Sequence, residues 1–117
     1  SILITGLSVK PDESFIDKVI NENKVNYKIN IMHYPDEFDN IKKYNYDLVL
    51  AGHSHNGQIA LPVYGAVITP ENAKEYYKPY YKIDNTLFYI SSGVGTTKFD
   101  YRFLNKPSFN LYRILKK

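Results

Sequence analysis

The stretch Gly52-His53-Ser54-His55-Asn56-Gly57-Gln58 places two imidazoles one residue apart, directly after an apolar run that opens at Asp47. The chain has three histidines, and the third, His33, closes another strand-like run, Tyr27-Lys28-Ile29-Asn30-Ile31-Met32. Every imidazole therefore sits just beyond an expected strand. Neutral imidazole is a common ligand for zinc, manganese, iron and nickel, and strand ends of α/β sheets are where binding residues gather. A lone histidine is more often a surface or hydrogen-bonded core residue. Here the shared placement of all three, two of them bracketing Ser54, favours metal ligation by His33, His53 and His55.

Other residues of the two histidine segments have supporting roles. Gly52 and Gly57 are expected to let the backbone turn sharply around the ligands, or to serve as plain loop glycines. Gln58 either orients a ligand histidine or a loop carbonyl, or makes a surface hydrogen bond. Asp36, after Pro35, reads as a helix-start acid favoured by the dipole rather than as a metal ligand.

The elements that must position these side chains alternate in type. Residues 2–5 form an apolar run closed by Gly6, which reads as a buried strand, and Pro11-Asp12 opens a helix with Phe15, Ile16, Val19 and Ile20 on one stripe. Residues 28–32 form the second strand. Pro35 then starts a second helix, at a position where its missing N–H costs nothing, with Phe38 and Ile41 inward. Residues 47–51 form a third strand whose continuous apolar character is that of a strand covered on both faces. Beyond Gly57 the chain turns to strands and loops: Asp84-Asn85 is a hairpin turn between residues 81–83 and 86–88, and residues 109–115 close the sheet. Residues 70–82 read as a mobile or partner-facing loop. The fold class is α/β, strands with two helices followed by a mostly β half, in a single domain over residues 1–117.

Composition bounds the rest. A chain of 117 residues fits one domain. Fifteen basic and twelve acidic residues give a net charge of +3, dispersed from Lys10 to Lys117, which is no nucleic-acid signature. With no cysteine, disulfides and thiolate metal sites are excluded, while the compartment stays open. The longest apolar stretch, residues 59–68, is broken by Pro62 and Gly65 and is far short of the roughly twenty residues of a membrane helix. The start, Ser1-Ile2-Leu3-Ile4-Thr5-Gly6, has no charged leader or small-residue cleavage pattern, so the chain reads as beginning inside a fold.

Gly52-His53-Ser54-His55-Asn56-Gly57-Gln58, His33-Tyr34-Pro35-Asp36 about twenty residues earlier and Ser91-Ser92-Gly93-Val94-Gly95-Thr96-Thr97 later together resemble the calcineurin-like metallophosphoesterases, in the branch with a GHxHxGQ signature. The resemblance covers nearly the whole chain but only the later half of that family. It implies the carboxy-terminal part of a four-layer α/β/β/α sandwich and a dinuclear centre of divalent ions (manganese, iron, zinc or similar) whose activated hydroxide hydrolyses a phosphomonoester or phosphodiester. His33 matches the family's lone histidine and His53 the first of its histidine pair, both on one metal; His55 matches a ligand of the other. Arg102 matches an arginine of the pattern, with structural pairing or phosphate contact as its role. The family's Asp-x-His, Gly-Asp and Gly-Asn-His motifs have no counterpart in this sequence. Two divalent ions about 3.5–4 Å apart need carboxylates to bridge them, so the site is incomplete here. The resemblance thus implies a chain inactive alone, completed by a missing amino-terminal half, with exposed sheet edges that invite self-association. Substrate, natural metal and localisation stay open.

A second reading comes from a different class. Twelve tyrosines, four of them (Tyr76, Tyr77, Tyr80, Tyr81) interleaved with Lys74, Lys78 and Lys82, would suit a non-catalytic module docking a protein or nucleic acid. The same residues are equally the chemistry of half-exposed strands and cross-strand pairs, and no nucleic-acid motif accompanies them.

Overall fold

Asp12 starts the first helix as its N-cap, its carboxylate accepting hydrogen bonds from the N–H groups of Ser14 and Phe15 at 3.0 and 3.3 Å. These are among the donors that a helix start leaves unpaired. The computed structural model of the protein describes residues 1–9, 12–55, 60–61, 65–66, 69–96 and 102–115. In chain order they form β1 (Ile2–Gly6), α1 (Glu13–Glu22), β2 (Tyr27–Ile31), a 3-10 turn (Pro35–Glu37) leading into α2 (Phe38–Ile41), a second 3-10 turn (Lys42–Tyr44), β3 (Leu48–Ala51), β4 (Ala60–Leu61), β5 (Gly65–Ala66), β6 (Tyr80–Ile83) and β7 (Thr86–Ile90).

Five strands make one sheet in the order β1-β2-β3-β7-β6. β1, β2, β3 and β7 run parallel, and β6 pairs antiparallel with β7. β4 and β5 form a separate antiparallel pair. The class is α/β, as expected. The two-residue connection Asp84-Asn85, with Asp84 at φ 51°, closes the expected hairpin.

Side chains alternate across the sheet, so its register sorts them onto two faces. Thr5, Asn30, Val49, Phe88 and Tyr81 stand side by side on one face; Ile4, Ile29, Leu48, Leu87 and Lys82 stand on the other. Both helices cover the first face. Ile16 of α1 and Phe38 and Ile41 of α2 pack with Met32, Tyr46, Val49, Phe88 and Ile90 into the core, and the Phe38 and Phe88 rings stack with centroids 4.8 Å apart. Pro35 opens its turn at the expected position.

Several expectations differ from the structure. β1 is not a buried strand: it lies at the sheet edge with Ile2 and Ile4 51% and 62% exposed, because no element among the described residues covers that part of the second face. On α1, Ile16 is buried and Val19 and Ile20 half-buried, but Phe15 points into solvent at 60% exposure. Residues 109–115 add no strand to the sheet. They lie across its second face, with the Tyr112 ring 5.2 Å from that of Tyr89 and Phe109 and Leu111 left exposed. Alternating apolar residues fit a pleated surface, and that fit does not by itself create a hydrogen-bonded neighbour.

Residues 70–79 are pinned rather than loose. Asp36 accepts hydrogen bonds from three backbone N–H groups of this segment, Ala73 is fully buried, and the Tyr76 and Tyr81 rings pack against Phe88. Residues 80–82 belong to β6. No helix among the described residues is long and apolar enough to cross a membrane.

Candidate metal centre

Parallel strands bring their carboxyl ends to one edge of the sheet, and the candidate residues collect there. His33 follows β2, His53 and His55 follow β3, and Ser91, Ser92 and Gly93 follow β7. The backbone holds these exits together: Gly52 N–H donates to the His33 carbonyl at 3.3 Å, and Ser91 N–H to the Ala51 carbonyl at 2.9 Å.

The turn itself is made by the histidines. His53 and His55 have φ of 61° and 47°, a left-handed conformation uncommon outside glycine. Ser54 N–H reaches back to the Gly52 carbonyl at 2.6 Å, closing a three-residue turn around His53 in its rarer, positive-φ form. Of the two roles expected for Gly52 the structure matches the plain loop glycine: its φ is not positive, and a Cβ placed on it would meet nothing. Gly57 and Gln58 lie outside the described residues.

His33 and His53 come together. Nδ1 of His53 is 3.1 Å from Nε2 of His33, and Nε2 of His53 faces the Glu71 carbonyl at 2.8 Å. A carbonyl can only accept, so Nε2 of His53 carries the proton and Nδ1 presents its lone pair toward His33. Two nitrogens each 2.0–2.1 Å from one tetrahedral ion lie about 3.3 Å apart, so the pair fits a shared cation. Tyr34 packs edge-on against the His53 ring with centroids 4.5 Å apart. Burial, and then the neighbouring His53, holds His33 below the ordinary histidine value, which keeps its lone pair available near neutral pH.

His55 faces a different partner. Its Nδ1 lies 3.2 Å from Nη2 of Arg102, and the Asn105 side chain donates to its backbone carbonyl. Burial and then the Arg102 guanidinium depress its pKa, and a hydrogen bond to the Gly95 backbone acts in the opposite sense. Arg102 is held in turn by the carbonyls of Ser92, at 2.7 Å, and Gly95, at 3.0 Å through Nε. Among the described residues no three histidine, aspartate or glutamate side chains form one cluster able to hold a metal. The structure thus gives a pair of facing histidines, His33 and His53, with His55 and Arg102 beside it.

Two contributors escaped the sequence reading. The Glu71 carbonyl orients His53, yet a backbone group has no sequence signature. Asn105, buried at 6% exposure, supports the His55 carbonyl from a stretch without periodicity. Asp36 lies in the first turn after Pro35, as expected of a helix-start acid, and its carboxylate also accepts hydrogen bonds from the 74–76 backbone.

Comparison with known proteins gives this geometry a context. The chain is 38% identical over 88 residues to YkuE, an uncharacterized metallophosphoesterase of Bacillus subtilis strain 168, covering 75% of this chain and 31% of that protein. It is 32% identical over 105 residues to an uncharacterized metallophosphoesterase of Helicobacter pylori, covering 87% of this chain and 27% of that protein. It is 30% identical over 66 residues to the phosphodiesterase YaeI of Escherichia coli K12, covering 56% of this chain and 24% of that protein. No family model matches the chain, and no solved structure matches it. These similarities support the metallophosphoesterase family for this chain. The chain spans about a quarter to a third of the length of the curated relatives it matches.

Proposed function

We propose that this chain is a carboxy-terminal portion of a metal-dependent phosphoesterase of the GHxHxGQ branch, and that it supplies histidine ligands to a centre completed by residues outside it. One observation carries the reading. The nitrogens of His33 and His53 face each other at a spacing suited to one cation, with the second nitrogen of His53 committed to a carbonyl. In this reading His33 and His53 serve one ion and His55 the other. Two divalent ions, when bound, would supply water activation and charge neutralisation for hydrolysis of a phosphomonoester or phosphodiester.

The chain's own residues perform the remaining work. His33 and His53 bind through neutral lone pairs. The Glu71 carbonyl holds the proton of His53 on Nε2 and so fixes the ring. Arg102, gripped by two carbonyls beside His55, is placed to meet a phosphoryl oxygen as charge builds on it. Three imidazoles bring no negative charge, and in this reading the bridging carboxylates come from the remainder of the protein. The sheet face opposite the helices, apolar and largely uncovered at Ile2, Ile4 and Ile31, is where a second sheet of a four-layer sandwich would pack.

The test is manganese-dependent hydrolysis of a chromogenic phosphodiester by the whole protein. His53→Ala and His33→Ala are expected to lower turnover by at least a hundredfold with an unchanged circular-dichroism spectrum. Normal activity in either variant would overturn the reading. The 117-residue chain alone is expected to show no turnover; activity that His53→Ala removes would show that it completes its own site.

A further inference from the structure

Asp36 stands three residues after His33 in the sequence, yet its bonds run to the other side of the site. Oδ2 accepts from the Lys74 N–H at 2.8 Å, and Oδ1 from the N–H groups of Glu75 and Tyr76 at 3.1 and 3.0 Å. Its own N–H donates to the Asn72 carbonyl at 3.2 Å. Both carboxylate oxygens are therefore engaged by consecutive backbone donors, and charge-assisted bonds of this kind are about twice as strong as neutral ones. The segment so gripped turns at Asn72, whose φ is 65°, and buries Ala73 completely. Immediately before that turn is Glu71, whose carbonyl accepts from His53 Nε2 at 2.8 Å.

A carbonyl at the end of a loop orients an imidazole only if the loop itself is fixed. Anchors of residues 70–76 include the Ala73 N–H to Pro70 carbonyl bond, the Tyr76 hydroxyl on Asp39, the Tyr81 hydroxyl on the Glu75 carbonyl and the four bonds to Asp36. The bond from Ala73 is internal to the loop, and those at Glu75 and Tyr76 lie at its far end. Among the described residues, the bonds of Asp36 to Asn72 and Lys74 are the ones that tie the turn next to Glu71 to the segment that carries His33. We propose that Asp36 is a positioning residue for the His33–His53 pair: its carboxylate holds residues 71–76 so that the Glu71 carbonyl keeps the proton of His53 on Nε2 and its Nδ1 lone pair toward His33. The consequence for metal affinity rests on the function proposed above; the tautomer does not.

The experiment is nitrogen NMR of histidine-labelled, metal-free whole protein at about pH 8, above the ordinary histidine pKa, with His53→Gln to assign the resonances. The wild type is expected to show His53 protonated on Nε2. Asp36→Asn places an NH2 among the backbone donors, and His53 is expected to become a mixture of tautomers while the fold persists. Affinity for Mn²⁺, measured by calorimetry, is expected to fall about 10- to 100-fold, the usual cost of removing a group that orients a ligand. A wild-type His53 protonated on Nδ1, or wild-type His53 shifts retained in Asp36→Asn, would overturn the proposal. Should Asp36→Asn not fold, Asp36→Glu keeps the charge and moves the oxygens by one methylene, and unchanged His53 shifts there would overturn it equally. A tautomer that responds to Asp36 in a protein whose Mn²⁺ binding ignores His53→Gln would uphold the positioning role and reject the metal-site reading.

Discussion

His53 and His55 both sit in the left-handed region, at φ 61° and 47°, and that conformation aims two successive odd-numbered side chains at different partners. In a plain extended strand, residues two apart point the same way; here one imidazole meets His33 and the other Arg102. The glycine before them needs no special freedom. Gly52→Ala is therefore expected to change stability by less than about 0.5 kcal/mol, since its backbone suits any residue and its Cβ would meet nothing. Gly93 differs: its φ is +64°, and the Arg102 guanidinium lies 3.9 Å from where a Cβ would stand. Gly93→Ala is expected to cost about 1–2 kcal/mol from the left-handed penalty. Urea denaturation of the two variants beside the wild type measures both.

The short second helix matters out of proportion to its length. α2 has four residues, too few to be stable by propensity, and it persists because Phe38 and Ile41 are 1% and 0% exposed against the sheet. Phe38→Ala is expected to destabilise by about 3–5 kcal/mol through lost burial and a cavity facing Phe88. Phe15→Ala, on the exposed side of α1, is expected to fall within about 0.5 kcal/mol of the wild type. Tyr76 ties the 70–79 segment to α2 by donating to Asp39 at 3.0 Å. Burial, and then that bond, pushes its pKa from 10.0 up to about 12. The folded state thus holds this proton more tightly than the unfolded chain does, so the contribution is whole below pH 10.0 and is lost as pH rises through about 12. Melting temperatures across that range should fall less steeply for Tyr76→Phe than for the wild type; parallel curves would show that the hydroxyl is not coupled to folding.

At the scale of the molecule, the sheet is covered on one face by α1 and α2 and only partly covered on the other. The uncovered part carries Ile2, Ile4 and Ile31 at 51%, 62% and 49% exposure, beside the edge strand β1. An apolar face next to an open edge promotes association. The 117-residue chain by itself is expected to sediment with a mass that rises with concentration, and Ile4→Lys to shift it toward monomer. A concentration-independent monomer for the wild type would show that the tail across the second face suffices.

Local chemistry alone determined much of this protein. Apolar runs define β1, β2, β3 and β7, Asp84-Asn85 defines the hairpin, Pro35 the start of the second helical stretch, and the sequence alone places the three histidines at strand ends. Each depends on neighbours within a few residues, so a sequence can display it. What tertiary structure decided depends on contacts that a linear pattern does not encode. The pairing of His33 with His53 follows from β2 and β3 lying side by side, and the role of Asp36 from a loop returning thirty-eight residues later, between Asp36 and Lys74. The proton on His53 is set by the Glu71 carbonyl, a group that every residue possesses and only the fold can aim. The exposure of Phe15 and the absence of a closing strand at 109–115 have the same origin. Apolar side chains announce that they can be buried, and the packing of the whole determines which of them are.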